Sequence, residues 1–263
     1  MDFPAELANQ FIQFLLVFSR ITGTLTSAPV FASKTIPVYA RVGLSALLAL
    51  FMLPLSVLSE YREPTSLLVL MWWLMLELLY GLSAGFVASL FLQAVQMAGQ
   101  LIDMQIGFGM VNVFDPQFGQ QVPLVGNFKY LIALTIFLAL QGHHILISAL
   151  AENFRAVPLG VQPQFANVTE FLVDAVANMF VMALRLALPI LGTILMTDVA
   201  LGILARLMPQ MNVFVVGITG KLIVGIFMLF LILPFYVAFL EVGFEGIYRD
   251  FFKILAEVGG TPR

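Results

Sequence analysis

One uncharged stretch decides the fold: residues 78–102, which read LLYGLSAGFVASLFLQAVQMAGQLI. At about 25 residues, the stretch is long enough for a tilted helix that crosses a bilayer. It does not alternate between apolar and polar residues, as a strand of a membrane barrel would over about 10 residues. The stretch therefore predicts a membrane-spanning helix.

The composition of the whole chain agrees with a membrane protein. Of its 263 residues, 61% are hydrophobic and only 10% are charged, against about 45–50% and about 25% in an ordinary soluble domain. The mean hydropathy of +1.01 excludes a soluble globular domain and a disordered chain. The net charge of −3 argues against nucleic-acid binding. Because the chain has no cysteine, a disulfide framework, an iron–sulfur cluster and a cysteine-based zinc site are excluded.

Six apolar runs are helical by length and composition. They cover residues 11–33, 42–59, 65–102 with a break at Glu77, 130–151, 175–197 and 222–240. Two stretches with several glycines or prolines, residues 103–129 and 152–174, are predicted to be irregular. The sequence therefore predicts an all-α fold of membrane-associated helical hairpins.

The positive charges do not fit six simple spans. The first residues carry no Lys or Arg, whereas the first loop holds Lys34 and Arg41, which favours a cytoplasmic loop. Six crossings would then leave the basic C-terminal tail, with Arg249, Lys253 and Arg263, outside. We therefore expect that one helix pair is a hairpin that does not cross, or that the helices are not plain spans.

Three prolines, Pro54, Pro189 and Pro234, lie inside the apolar runs. Each removes a helix hydrogen bond and kinks or breaks the helix. A packing kink and a pore or gate are both compatible with this pattern.

Charged residues inside the apolar runs need partners. On the lenient insertion scale, Arg20, Glu77 and Arg185 would each cost about 2.5–3.5 kcal/mol at the centre of a bilayer. They must therefore face protein or water. Since the chain holds so few charges, we expect many of their partners in other subunits.

Residues 198–221 are predicted to form a helical hairpin that turns at Pro209-Gln210-Met211-Asn212. Counted from this turn, Asp198 and Lys221 differ in level by about two residues, or about 3 Å along the helices. We predict that they pair across the hairpin. The alternative is that each serves another subunit or solvent.

Two patterns that suggest enzymatic chemistry have simpler interpretations. Ser83 lies in a G-x-S-x-G pattern, which needs a strand before the serine, whereas Gly81, Gly85 and Ser89 fit a small-residue face for close helix packing. His143 and the adjacent histidine point about 100° apart on a helix, so helix-end hydrogen bonding is favoured over a metal site.

Large, flexible side chains gather in the glycine-containing segment between two apolar runs. Met104, Phe108, Met110 and Phe114 can either pack as in an ordinary loop or seal a pore by dewetting it. The residues alone leave both interpretations open.

The chain resembles the FliR family of flagellar biosynthesis proteins and its virulence-secretion relatives, the R/T components of the type III export gate. The strongest match is the block of residues 197–214, TDVALGILARLMPQMNVF. Gly220 departs from the proline expected before Lys221. The other matching residues, in order, are Arg20, Pro29, Ile36-Pro37, Arg41, Gly99-Gln100-Leu101-Ile102-Asp103, Gly107, Asp115-Pro116, Gly142-His143, Phe154 and Pro158-Leu159-Gly160.

The resemblance implies a two-part chain, with a P-like part at residues 1–174 fused to a Q-like hairpin and tail at residues 175–263. It implies a plug segment at about residues 106–123, with Ile106, Phe108, Met110, Val113 and Phe114. It also implies that Arg20, Glu77, Asp103, Arg185, Asp198, Arg206 and Lys221 are buried charges or subunit contacts.

The resemblance also implies partners and a location. The P and Q components, in several copies each, would join this chain in a helical hetero-oligomer in the bacterial inner membrane, within the flagellar basal body. Part of that assembly would project to the periplasmic side. An FlhB-type switch component, an FlhA-type export component, unfolded flagellar substrates and lipid would be further partners.

The sequence thus predicts a non-enzymatic subunit, without cofactor or metal, that forms and seals the conduit of the flagellar protein export gate. No nucleotide-binding loop or paired catalytic carboxylates are evident. Three alternatives remain: the corresponding subunit of a virulence secretion system, a small-molecule secondary transporter, and a membrane-embedded hydrolase acting through Ser83.

Overall fold

In the computed structural model, residues 3–33, 35–56, 64–108, 123–160, 165–210 and 212–258 are described. These residues form seven α-helices and no strand, which confirms the predicted all-α class. The helices are α1 (Phe3–Ser27), α2 (Val38–Ser56), α3 (Leu67–Ile106), α4 (Leu124–Ala139), α5 (Gly142–Ala156), α6 (Phe165–Leu207) and α7 (Val213–Val258).

The helices are longer than the apolar runs that predict them. Residues 103–129 were expected to be irregular, but α3 continues to Ile106 and α4 begins at Leu124. The second irregular stretch, residues 152–174, is likewise shortened by α5 and α6 at its two ends. An apolar run ends at the first charged residue, but a single charged residue does not end a helix: α3 continues past Asp103, and α4 contains Lys129.

Three helices are long and apolar enough to cross a membrane: Leu67–Ile106, Val168–Leu207 and Val215–Phe244. A fourth is available if α4 and α5, which meet at a bend of 63°, count as one broken span. The bend lies at Gln141, whose φ of 56° is left-handed. The six apolar runs are therefore not six plain spans. The helices also continue through Pro54, Pro189 and Pro234.

The chain folds into two compact units. Unit 1 comprises residues 1–91, 138–176 and 244–263, and unit 2 comprises residues 92–137 and 177–243. The core of unit 1 packs α1, α2 and α5 around buried side chains that include Leu16, Ile21, Met52 and Phe154. The predicted boundary between a P-like and a Q-like part, at residues 174 and 175, is a boundary along the sequence. The two compact units do not test it, and it stays a prediction.

Glycines bring α1 and α3 into backbone contact within unit 1. A Cβ on Gly81 would overlap the carbonyl oxygen of Arg20, and a Cβ on Gly85 would lie 2.9 Å from the backbone nitrogen of Ala28. Ser27 donates across this contact to the carbonyl of Leu82 at 2.9 Å. The small-residue face expected at Gly81 and Gly85 is therefore present. Ser89 donates to a carbonyl of its own helix, that of Phe86, at 2.7 Å.

We predict that Gly81→Ala destabilises the chain by about 1–3 kcal/mol, because the added methyl meets backbone atoms that cannot turn away. The measurement is the midpoint of thermal unfolding of the purified chain in mild detergent. Gly192→Ala on α6 is the matched control, since, beyond its own helix backbone, no described residue lies within 4 Å of its added Cβ. Equal effects of the two variants would contradict the prediction.

Candidate functional site

The Arg20 side chain on α1 is 1% exposed and forms a two-point ion pair with Glu77 on α3. Its Nε lies 2.6 Å from Oε2 of Glu77, and its Nη2 lies 3.1 Å from Oε1. Glu77 is itself 4% exposed. This parallel arrangement is the geometry in which arginine binds a carboxylate most strongly.

The remaining donors of Arg20 are satisfied from α5 and the turn that follows it. Nη1 donates to Oδ1 of Asn153 at 2.9 Å and to the carbonyl of Val157 at 3.2 Å. The rings of Tyr80 and Phe154 lie 4.7 and 4.8 Å from the guanidinium carbon, within cation–π range.

The residues that accept hydrogen bonds from Arg20 form further hydrogen bonds of their own. Asn153 Nδ2 donates to the Tyr80 hydroxyl at 2.6 Å, and the backbone N–H of Gly160 donates to Oε1 of Glu77 at 3.0 Å. Arg20 and Glu77 therefore have their partners within one chain, which corrects the expectation that other subunits would pair them. The network joins α1, α3 and α5 through an ion pair and hydrogen bonds, so its role is to hold these helices together.

Asp103 on α3 holds the first turn of α4. The carboxylate accepts from the backbone N–H of Val125 at 3.0 Å and from that of Gly126 at 3.1 Å. A helix N-terminus has unpaired N–H groups and a partial positive charge, so it favours a carboxylate. Asp103 is 5% exposed, and its charge is satisfied without another subunit.

The hairpin of α6 and α7 contains the ion pair predicted between Asp198 and Lys221. Both side chains are partly exposed, at 33% and 25%. Gln105 of α3 donates to the second carboxylate oxygen of Asp198 at 3.4 Å. The α7 helix begins after Asn212, whose side chain accepts from the N–H of Val215 at 3.4 Å, so the turn lies where the sequence predicts it.

Arg185 and Arg206 differ from the other predicted charges because both are exposed on α6. Within the described part of the chain, neither forms an ion pair with a carboxylate. Their role as subunit contacts stays a prediction.

Sequence analysis missed Lys129, which it assigned to the end of a loop. Lys129 is 4% exposed, and its Nζ lies 4.6 Å from the centre of the Tyr236 ring. The Tyr236 hydroxyl donates to the Lys129 carbonyl at 2.8 Å. The four-residue spacing of Val125, Lys129, Ala133 and Phe137, all buried in α4, is the signal that could have revealed it.

The plug segment, residues 106–123, is described only at its two ends. Ile106 is buried at the end of α3, and Met110, Val113 and Phe114 lie outside the described residues. Phe108 lines an apolar pocket of about 210 Å³. The pocket is also lined by Leu124, Val125 and Phe128 of α4 and by Ile226, Leu229, Phe230 and Leu233 of α7.

The two enzyme-like patterns lie in helical surroundings. Ser83 is in the middle of α3, where its hydroxyl donates to the Tyr80 carbonyl at 2.8 Å, and the strand-turn-helix context of a catalytic serine is not found there. The rings of His143 and His144 lie 4.3 Å apart. Among the described residues, no group of three or more His, Asp or Glu side chains could hold a metal ion.

Comparison with known proteins covers nearly the whole chain. A family model described as bacterial export proteins, family 1, matches residues 11–247. The flagellar biosynthetic protein FliR of Bacillus subtilis is 35% identical over 85% of this chain and 87% of its own length. The FliR proteins of Pectobacterium carotovorum and Escherichia coli are 33% and 28% identical, over 96% and 91% of this chain and 95% and 89% of their own lengths.

We predict that Glu77→Gln destabilises the chain by about 3–5 kcal/mol, because it leaves the buried Arg20 guanidinium without a counter-charge. The double variant Arg20→Leu/Glu77→Leu should regain much of this loss. The measurement is again thermal unfolding in detergent.

Asp198→Asn is the control for this experiment, because it removes an ion pair that solvent already reaches and should cost about 0–1 kcal/mol. If Glu77→Gln were no more harmful than Asp198→Asn, the network around Arg20 would not hold the three helices together.

Proposed function

The chain belongs to the bacterial export proteins, family 1, and we propose that it is a component of the flagellar protein export apparatus in the bacterial inner membrane. Within that apparatus it forms part of the conduit for unfolded flagellar proteins and part of the seal that keeps ions out at rest. The P, Q, FlhA-type and FlhB-type components are its proposed partners. The observation that carries the flagellar role is the 35% identity to the FliR protein of Bacillus subtilis over 85% of this chain, and the family match over residues 11–247 supports export.

The surface of α6 and α7 supports an assembly with other subunits. Of the most apolar 18-residue stretch of α6, only 28% is buried within the chain, and of the corresponding stretch of α7 only 11% is buried. Large side chains such as Phe227, Phe230 and Phe235 are 64%, 71% and 74% exposed. This apolar area must be covered by lipid or by other proteins.

The lengths of these two helices indicate that proteins, and not lipid alone, cover part of their exposed apolar surface. The apolar spans of α6 and α7 have 40 and 30 residues and extend for about 60 and about 45 Å at 1.5 Å per residue, whereas the hydrocarbon core of a bilayer is about 30 Å thick. Each helix therefore has apolar residues that lipid tails cannot all cover. Neighbouring subunits of the export apparatus would cover the rest.

The exposed arginines Arg185 and Arg206 support the same proposal. An unpaired arginine against lipid tails would cost about 2.5–3.5 kcal/mol even on the lenient insertion scale. A partner subunit or the water of a conduit removes this cost. A small-molecule transporter that works as a single chain would have to satisfy such residues by itself.

The ends of the plug segment support a sealing role. Phe108 is half-buried and lines an apolar pocket together with residues of α4 and α7, so the segment leaves α3 next to an apolar surface. Flexible methionine and phenylalanine side chains, here Met110 and Phe114, can fill and dewet a narrow pore.

We predict that replacing Phe108, Met110 and Phe114 together by serine increases ion leakage through the assembled gate several-fold. Polar side chains would let water and ions enter the closed conduit. The measurement is ion leakage in cells that carry the assembled gate, together with the amount of flagellar protein secreted.

The control replaces Leu67, Leu68 and Met71, which are 73%, 80% and 61% exposed at the start of α3, by serine. It changes a similar apolar volume away from the plug segment and should leave the leakage unchanged. Unchanged leakage in the plug variant would reject the seal. A deletion strain of the source bacterium that still assembles flagellar filaments would reject the flagellar role as a whole.

A further inference from the structure

The ammonium group of Lys129 on α4 has no counter-charge within the described ranges. The residue is 4% exposed, yet its Nζ has neither a carboxylate at salt-bridge distance nor a hydrogen-bond acceptor among the described residues. Asp103 binds α4 one helical turn earlier, where its two oxygens accept from the N–H groups of Val125 and Gly126. The ring of Tyr236, 4.6 Å away, attracts the cation but does not neutralise it. The three N–H donors of this ammonium therefore need an anion or water from outside these residues.

The apolar pocket lined by α4 and α7 lies directly before Lys129 and Tyr236 along the same two helices. On α4 it is lined as far as Phe128, and on α7 as far as Leu233. Its volume of about 210 Å³ exceeds the volume of about 150 Å³ of an apolar cavity that holds a benzene molecule, so it has room for several methylene groups. Phe230 at its rim is 71% exposed. An apolar chain can therefore enter the pocket from outside the protein.

The position of the pocket along α7 suits a membrane lipid. The apolar span of α7 is Val215–Phe244, so its middle falls at about residue 230, within the part of α7 that lines the pocket. Tyr236 follows about six residues later, about 9 Å further along the helix at 1.5 Å per residue.

With this span centred in a bilayer, half of the hydrocarbon core is about 15 Å, which leaves Lys129, beside Tyr236, about 6 Å from the nearer boundary. Lysine side chains close to a boundary keep their ammonium groups at the polar headgroups while their methylene groups stay in the apolar region. A tail in the pocket and a headgroup at Lys129 therefore have the order of depth that a bilayer lipid requires.

We propose that the pocket and Lys129 together form a binding site for an anionic phospholipid. The pocket takes part of one acyl chain, and the Lys129 ammonium pairs with the headgroup phosphate, for which a lysine is a suitable point charge. Tyr236 holds the ammonium at the end of the pocket, and its own hydroxyl is fixed by the hydrogen bond to the Lys129 carbonyl. A headgroup with a net negative charge is preferred because it supplies the counter-charge that the described residues do not. This inference does not depend on the proposed role in export.

The test measures lipid binding to the full chain, purified in mild detergent and freed of its native lipid. Native mass spectrometry follows the binding of phosphatidylglycerol, which is anionic, and of phosphatidylethanolamine with the same acyl chains, which is zwitterionic. Lys129→Gln removes the charge, Lys129→Arg keeps it, and Leu229→Trp fills the pocket. Arg185→Gln, which removes an exposed cation on α6, is the control for charge. Leu231→Trp is the control for the added ring, at a 52% exposed position of α7 outside the pocket.

The wild type should bind phosphatidylglycerol about fivefold more tightly than phosphatidylethanolamine, the effect of one basic residue near a membrane surface. Lys129→Gln should lose this preference and Lys129→Arg should keep it. Leu229→Trp should weaken the binding of both lipids several-fold, and the two controls should bind as the wild type does. Equal binding of the two lipids by the wild type, a preference that survives Lys129→Gln, or binding that Leu229→Trp leaves unchanged would each overturn the inference.

A second measurement uses the wild-type chain, so it does not depend on whether a variant folds. Phosphatidylglycerol with a photoreactive diazirine in one acyl chain is bound and irradiated, and the labelled peptides are identified. The label should concentrate in residues 124–128 and 226–233. A label spread evenly over the exposed apolar surface would indicate ordinary surface lipid, and a label that avoids both ranges would indicate that another part of the chain fills the pocket.

A counter-charge from another protein is the remaining alternative for Lys129. In the assembled complex, a carbodiimide joins an amine to a carboxylate only where the two are in contact. We expect no such cross-link at Lys129. A cross-link to a carboxylate of a partner subunit would show that a protein supplies the counter-charge, and, like either of the other labelling patterns, it would reject the lipid site.

Discussion

A single buried cation determines how α1, α3 and α5 can be arranged in unit 1. Removing an arginine from water costs several kcal/mol, and the ion pair with Glu77 repays this only if every other donor also finds an acceptor. Asn153 near the end of α5 and the carbonyl of Val157, directly after α5, provide these acceptors. Any packing that moved α5 away would leave part of the guanidinium unpaired, so the network selects one arrangement even where it adds little net stability.

The close contact of α1 and α3 depends on the same residue. The backbone of Arg20 lies directly against Gly81 of α3, where there is no room for a Cβ. Because the two helices are so close, the Arg20 side chain reaches Glu77, which lies one helical turn before Gly81 on α3. In lipid, where apolar side chains gain little from leaving the surrounding tails, close backbone contact and hydrogen bonds between helices drive association. The glycines and the ion pair therefore stabilise one interface by two complementary means.

Helix geometry and the position of a turn predict contacts within one hairpin, but they do not predict contacts between helices that are far apart in sequence. The pairing of Asp198 with Lys221 followed from one turn and the rise of a helix, because the two residues flank the same hairpin. The partners of Arg20 are 57 and 133 positions away, and their positions depend on how separate helices pack. Lys129 was missed because charge was taken as the end of an apolar run. Met110, Val113 and Phe114 lie outside the described residues, so their predicted role still rests on sequence.

The charged residues that have partners within the chain differ in position from those for which partner subunits are proposed. Arg20, Glu77, Asp103, Asp198 and Lys221 all have partners within the chain, so these five charges do not require another subunit. On the outside of α6, Arg185 and Arg206 lie among exposed apolar side chains. An arginine beside such side chains suits a protein partner better than lipid, because a partner can offer both an apolar surface and an acceptor. The proposed contacts with neighbouring subunits are therefore best supported at this hairpin by the two exposed arginines.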